Sequence, residues 1–325
     1  MSEALNERSL IERFFKDCGA QRADVAVGVG DDAALIDMPV GMQLVAKTDT
    51  LVSGVHFLPH FPAESIGHRA LAVNLSDIAA MGAEPAWALL ALTLPSAEAS
   101  WLEAFASGLG ALARKHNVAL VGGDTTSGPL CITVQVLGYA PRPPVMLRSG
   151  GKPGDVLFVS GTPGDAGAGL ALEQGTMPNA TPESAAYLRE RFLFPTPRVE
   201  LGQRLRAYAS ACIDVSDGLL GDATKLADAS RCGVVIDHEK LPISAQLLST
   251  AGDTRARELA LTAGDDYELC FAVPPANIER MTRELPPAQW AYSPIGVLRT
   301  ERGGVVARGG TVMHFSHSGF DHFAR

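Results

Sequence analysis

A set of aspartates stands where carboxylates can do chemistry: Asp31 and Asp32 in a Gly-Asp-Asp turn, Asp49 in Thr-Asp-Thr, Asp124 in Gly-Gly-Asp-Thr-Thr, and Asp214 and Asp217 in Ile-Asp-Val-Ser-Asp-Gly. Each lies at the end of an apolar run that reads as a strand, so its carboxylate is held at the edge of a core. Several such ends meeting at one place make an oxygen-rich site for Mg²⁺, which prefers carboxylates and water. Taken singly, each also reads as a turn former. Asp217 also reads as the N-cap of a following helix, and Asp32 as a group that orients its neighbour.

Asp77 is different in kind. Helical steps of about 100° put it among Ile66, Ala70, Val73 and Met81, with Asn74 one turn earlier. A carboxylate inside an apolar stripe is costly unless it is paired or binds a cation. Arg69 and Lys115 are candidate protein partners; a metal is the preferred one. Arg148, beside Ser149 and two glycines, suits phosphate contact. His56 follows the Asp49 strand; a lone histidine is usually structural. The Gly122-Gly123 turn lets backbone N–H groups approach a phosphate, whereas the stretch Gly161–Gly169 fits close helix–sheet packing somewhat better.

These residues need elements to hold them. Helices are expected over Leu10–Phe15, Glu64–Met81, Trp101–His116, Ala166–Gln174, Ser184–Phe192 and Leu219–Ser230. Strands are expected over Gln43–Thr48, Trp87–Leu94, Val118–Val121, Cys131–Tyr139, Asp155–Ser160, Ala211–Val215 and Gly233–Asp237. A further strand enters the turn in Val27–Leu35, and Gly264–Val273 follows the last of the series. The Pro-rich stretch Ala140–Val145 reads as a connector, which divides the chain near residue 150 into 1–150 and 151–325. Strands and helices mix without strict βαβ alternation, so the expected class is α+β rather than a doubly wound sheet.

Composition narrows the chemistry. With 46% hydrophobic residues, 325 residues suffice for two cores. A net charge of −9 argues against a nucleic-acid partner, which needs a basic surface. The 5 cysteines contain no CxxC pair and read as reduced thiols of a cytoplasmic protein. The charged stretch Met1–Asp17 lacks a signal-peptide core, and no apolar run is long enough to span a membrane. The P-loop signature, the protein-kinase motifs, GxSxG and HExxH are all missing, and Val27–Gly30 offers only GxG.

Read in order, GVGDDAAL, TDTLVSGVHF, ALAVNLSDIAAMGAEP, LVGGDTTSGPL, LRSGGKPGD, IDVSDGL, GDDYEL and GFDHF form a set that resembles the thiamine-monophosphate kinase family. That family lies in the superfamily of aminoimidazole ribonucleotide synthetase and selenophosphate synthetase, and the resemblance runs from about residue 8 to residue 323. It implies the two-domain fold of that superfamily: an N-terminal domain that binds ATP and Mg²⁺ and pairs its sheet across a homodimer, and a C-terminal α/β sandwich that completes the active site. It also implies ATP-dependent phosphorylation of thiamine monophosphate to thiamine diphosphate. By motif, the ligands of several Mg²⁺ ions are Asp31, Thr48, Asp49, Asp77, Asp124, Asp214 and Asp217. ATP contacts are Gly123, Asp124, Arg148 and Ser216, and thiamine-phosphate contacts are His56, Asp265 and Phe320. Asp49, Asp124 and Arg148 carry the catalytic role. Three positions depart from the family pattern: Asp265 stands for a Glu, Phe320 for a frequent Tyr or Trp, and Lys47 for a small residue. The rival readings are a sister ATP-dependent synthetase and a catalytically silent Mg²⁺-nucleotide-binding protein.

Overall fold

A computed structural model describes residues 6–142, 146–177, 180–313, 315 and 319–320. The end of the Pro-rich connector (143–145) and the last part of the GFDHF motif (321–323) lie outside the described residues. The chain forms two compact units, Met1–Ile78 with Ala83–Pro144, and Ala79–Gly82 with Val145–Arg325.

Unit 1 is built on β3 (Met42–Val52), β4 (Glu84–Leu94), β5 (Ala119–Ser127) and β6 (Cys131–Pro141), in the order β3-β6-β4-β5. The β4–β5 pair is parallel and the others antiparallel. A short hairpin of β1 (Val25–Val27) and β2 (Leu35–Ile36) adds a second layer, packing Val25 and Ile36 beside Trp87 and Val121. Every second residue of β6 is buried from Ile132 to Ala140, the alternation of a sheet with one face on a core. Helices α2 (Ala63–Ala80) and α3 (Ala99–Lys115) approach closely because Gly67 and Gly108 lack side chains. A Cβ at Gly67 would lie 2.0 Å from the Phe105 carbonyl oxygen, and one at Gly108 1.9 Å from that of Glu64. The N-terminal segment is helix α1 (Glu7–Leu10) continued by a π turn over Ile11–Phe15.

Two expectations about strand ends need correction. β3 does not stop at Asp49: its ladder to β6 runs unbroken from Met42–Pro141 to Val52–Cys131. Asp49 therefore sits inside a strand, with Leu51 buried beyond it. Asp124 likewise lies within β5, because the parallel register with β4 continues to Leu94–Ser127. The polar residues after each aspartate are threonines and serine on the open part of the sheet. Ladder hydrogen bonding rather than burial carries the strands onward.

Unit 2 holds a mixed sheet of β7 (Val156–Ser160), β8 (Ala211–Val215), β9 (Gly233–Asp237), β10 (Glu268–Val273), β11 (Tyr292–Arg299), β12 (Gly303–Arg308) and β13 (Thr311–Met313). Its order is β13-β12-β9-β11-β7-β10-β8, antiparallel except for β12–β9. β10 lies between two neighbours and is buried at every residue. This is why it reads in the sequence as an apolar run instead of alternating. Helices α4 (Asp165–Glu173), α5 (Pro182–Leu193), α6 (Val199–Leu205), α7 (Leu219–Ala229) and α8 (Ala245–Thr262) pack in the same unit. Leu219, Ala223 and Leu226 of α7 join Ile213, Val234 and Ile236 in one core cluster. Ala168, Leu188, Leu247 and Leu259 form another, among α4, α5 and α8. With sheets and helices mixed in each unit and antiparallel pairing dominant, the class is α+β, as the irregular alternation of elements predicts.

Candidate active site

In unit 1, the turn between β1 and β2 carries Asp31 and Asp32, both exposed. Asp31 Oδ1 accepts from the Asp32 backbone N–H at 2.8 Å, which fixes the turn. This turn and the β5 segment with Gly123 and Asp124 line one cavity of about 1260 Å³, together with Phe15 and Ile11 of the N-terminal segment. Gly123 has φ +147°, and a Cβ there would lie 1.8 Å from the Leu90 carbonyl oxygen. Only glycine fits this backbone, so the residue before Asp124 presents bare main chain to the cavity. Asp31 is thus brought to the same cavity as Gly123 and Asp124, more than ninety residues away in sequence.

The other unit 1 carboxylates form a second group. Lys47, Asp49 and Leu51 alternate with exposed Ala46, Thr48 and Thr50 along β3, so Lys47 and Asp49 share one face of the sheet. Lys47 Nζ lies 2.8 Å from Asp77 Oδ2 on α2 and 3.2 Å from Asp49 Oδ1. Burial opposes the Lys47 charge, but Asp77 and then Asp49 outweigh it and hold its pKa above the ordinary lysine value. Lys47 is thus a protein partner of Asp77, one that the sequence reading, with Arg69 and Lys115, did not name. One turn before Asp77, Asn74 is fully buried; its amide donates to the Ala70 carbonyl at 3.1 Å, while its Oδ1 has no partner among the described residues. Thr48 points to the opposite face and donates to the Val134 carbonyl at 3.2 Å. His56, just beyond β3, accepts from the Val52 N–H at Nδ1, 3.0 Å, so a neutral ring carries its proton on Nε2.

In unit 2 the turn from β8 to α7 gathers most of the remaining candidates. Asp214 is buried in β8, and Ser216 and Asp217 follow it. Asp217 is not the N-cap of α7; that position is Gly218, which has no side chain to offer. Asp222, inside the helix and buried, reaches back instead. Its Oδ2 accepts from the N–H groups of Ser216, Asp217 and Gly218 at 3.0, 3.0 and 3.2 Å. Lys225 Nζ bridges Asp222 Oδ1 at 2.8 Å and Asp217 Oδ2 at 2.5 Å. Burial raises the Asp222 pKa against the pull of Lys225.

The Asp265 and Phe320 backbones lean on the same turn: Asp265 N–H donates to the Ser216 carbonyl and Phe320 N–H to the Asp217 carbonyl, each at 2.8 Å. Asp265 and Tyr267 have φ of +72° and +50°, and the Tyr267 hydroxyl donates to Asp265 Oδ1 at 3.1 Å. Phe320 is 55% exposed, unusual for so large an apolar ring. Arg148 is exposed, and its carbonyl accepts from Ser230 Oγ at 2.9 Å, which ties its backbone to the residue after α7.

Beneath Asp265 lies an ionic layer that the sequence did not reveal. Asp266 accepts from the Gly164 and Ala166 N–H groups at 2.7 and 3.2 Å, and burial pushes its carboxyl well above the usual range. Glu268 accepts from Arg198 and Arg191 and from Ser160 Oγ. Burial alone would raise its pKa, but the two guanidiniums and the hydroxyl bring it down to about 2. Asp222 was equally hidden, although its position five residues after Asp217, one turn into a helix, is the signal for a carboxylate folding back on the helix start.

The candidate ligands are hard carboxylate and hydroxyl oxygens, the donor set of Mg²⁺. Among the described residues, no three His, Cys, Asp or Glu side chains converge as a closed cage. Mg²⁺ does not need one, since it is commonly held by one or two carboxylates together with substrate phosphates and water. The pair of carboxylates beside Gly123 fits that pattern; the Asp49–Asp77 pair already holds an ammonium. No helix among the described residues is long and apolar enough to cross a membrane.

The chain is similar to known proteins along most of its length. Residues 30–140 match the family described as AIR synthase related protein, N-terminal domain, and residues 152–308 the corresponding C-terminal domain. The chain is 45% identical over 322 residues to the thiamine-monophosphate kinase of Salmonella typhimurium, covering 99% of each sequence. The crystal structure of thiamine-monophosphate kinase from Stenotrophomonas maltophilia is 44% identical with a TM-score of 0.84, covering 90% of this chain and 93% of that one. A structure described as AaThiL complexed with AMPPCP and TMP is 34% identical with a TM-score of 0.77, covering 91% and 92%.

Proposed function

The chain belongs to the thiamine-monophosphate kinase family of AIR synthase related proteins, and from that premise we propose that it transfers the γ-phosphoryl group of ATP to thiamine monophosphate, giving thiamine diphosphate. The observation that carries the phosphoryl chemistry is the unit 1 cavity, lined by the bare backbone of Gly123, by Asp124 and by the Asp31 turn. The acceptor is supported by the 34% identical structure that holds a nucleotide analogue and TMP.

The acceptor is a phosphate oxygen, ionised at neutral pH, so no general base is needed. The difficulty is repulsion between two anions. Mg²⁺, held by members of the set Asp31, Thr48, Asp49, Asp77, Asp124, Asp214 and Asp217, supplies the charge that offsets it when bound. The Thr48 side chain lies on the face of β3 opposite the one that meets Asp77 of α2. The chain's own residues position the reactants. The Gly123 N–H and Ser216 contact the nucleotide phosphates, and Arg148 adds a fixed positive charge at the transferring group. His56 and Asp265 orient thiamine monophosphate, and the exposed Phe320 ring stacks on it. Asp222 keeps Ser216 and Asp217 in place through three backbone N–H groups.

The homodimer belongs to the same proposal. β3 is an edge strand whose outer face exposes Leu44 (55%) and Val52 (36%), an apolar edge suited to pairing with a second copy. The cytoplasm, with neither nucleic acid nor membrane as a partner, fits the charge of −9. The test is Asp124→Asn. Its kcat should fall at least ~100-fold, the scale for losing one electrostatic contact to a transition state, with an unchanged melting temperature, and chelation of divalent ions should silence the parent. An Asp124→Asn variant with full activity at low Mg²⁺ would sink the assignment.

A further inference from the structure

We propose that the Lys47 ammonium is a built-in cation that takes the place of one divalent ion between Asp49 and Asp77. The inference rests on the phosphotransfer reading above and concerns how many metal ions this chain recruits.

The geometry is specific. Lys47 and Asp49 are two residues apart on one face of β3, and Asp77 of α2 meets the Lys47 ammonium. Lys47 Nζ contacts both carboxylates, at 2.8 Å and 3.2 Å, so it sits where a cation shared by the two must sit. Its side chain is 30% exposed, and those of Asp49 and Asp77 33% and 21%, so the three-group cluster is half-enclosed. Ladder spacing puts the Lys47 and Asp49 backbones about 7 Å apart, a gap within reach of the lysine stem. The ammonium is tethered, so it occupies the position without the loss of translational freedom that a free ion suffers. A side chain ending in a small hydroxyl would leave that space open to an ion and its water. Lysine has donors and no lone pair, so it excludes a metal sterically and electrostatically.

The arrangement has a chemical consequence. A single positive charge replaces a double one, and it cannot bridge to a phosphate through a shared water shell as Mg²⁺ does. It donates hydrogen bonds instead, and it remains in place before nucleotide arrives. Asp49 and Asp77 are therefore pre-oriented in the free protein, and the chain requires fewer ions to reach its active state.

The experiment counts bound Mn²⁺ by electron paramagnetic resonance on the full chain saturated with AMPPCP, with folding checked by thermal melting. The parent is compared with Lys47→Ser, with Lys47→Ala as a second space-opening variant should the first fail to fold, and with Lys47→Arg, which keeps the charge. We expect the Ser or Ala variant to bind one Mn²⁺ more per chain than the parent, and the Arg variant to match the parent. Equal counts in the parent and the space-opening variants overturn the inference while leaving the phosphotransfer reading intact, as does a gain in the Arg variant. If no chain binds Mn²⁺ beyond that carried by the nucleotide alone, the metal part of the phosphotransfer reading falls with it.

Discussion

Replacing Glu268 with Gln tests the ionic layer beneath Asp265. Glu268 is fully buried, with Arg198 Nε and Nη2 at 2.7 and 2.6 Å and Arg191 Nη2 at 2.7 Å. Glutamine keeps the shape but removes the charge that both guanidiniums face. The carboxyl falls from an ordinary 4.5 to about 2 on folding, which at about 1.4 kcal/mol per tenfold corresponds to ~3 kcal/mol. Breaking a buried pair by removing one partner costs about 3–5 kcal/mol by an independent route. For a unit of this size each kcal/mol lowers the melting temperature by about 2–4 °C, so E268Q should melt ~6–12 °C lower at pH 7.

The pH dependence has a definite sign. The folded pKa is depressed, so the stabilisation is complete above pH 4.5 and is lost as pH falls toward 2. Urea denaturation of parent and variant should therefore show the full gap at pH 7 and roughly half of it near pH 3. Asp266, whose buried carboxyl moves in the opposite direction, is common to both proteins and cancels in the difference. A gap under about 1 kcal/mol at pH 7, or one that does not shrink on acidification, would refute the reasoning.

Two further substitutions follow from the same geometry. Gly123→Ala forces a Cβ to 1.8 Å from the Leu90 carbonyl at φ +147°; backbone strain and overpacking, each about 1–3 kcal/mol, should lower the thermal stability and weaken ATP binding, and a parent-like melt with parent-like ATP affinity would contradict this. Asp222→Asn weakens the acceptor of three N–H groups at about 1–3 kcal/mol; KM for ATP should rise more than kcat falls, and an unchanged KM in a destabilised variant would show that Asp222 only supports the fold.

The legible part of the molecule was its patterned part. Alternation along Cys131–Tyr139 and the 3.6-residue stripe of Glu64–Met81 predicted β6 and α2 within a residue or two at most ends. The aspartates were visible as a set, because Asp31, Asp49, Asp124, Asp214 and Asp217 each follow an apolar run, although any one of them alone also fits a turn. Hidden features were those that depend on partners distant in sequence. Asp49 read as a strand end because the apolar-rich run Gln43–Thr48 stops there, yet eleven ladder pairs with β6 carry the strand on to Val52. Lys47 read only as a departure from the family pattern until α2 brought Asp77 to its ammonium. α8 is broken at Gly252, φ +72°, and its buried residues are concentrated in its second half, from Ala256 onward. No single period marks it. Glu268 merged into an apolar strand because its two arginines lie at positions 191 and 198.

The most direct measurement incubates the chain with ATP, Mg²⁺ and thiamine monophosphate and follows thiamine diphosphate by chromatography, with free thiamine as a parallel acceptor. Thiamine diphosphate should form from the monophosphate, in step with ADP, with no phosphorylation of free thiamine. ATP binding without any thiamine diphosphate would contradict this.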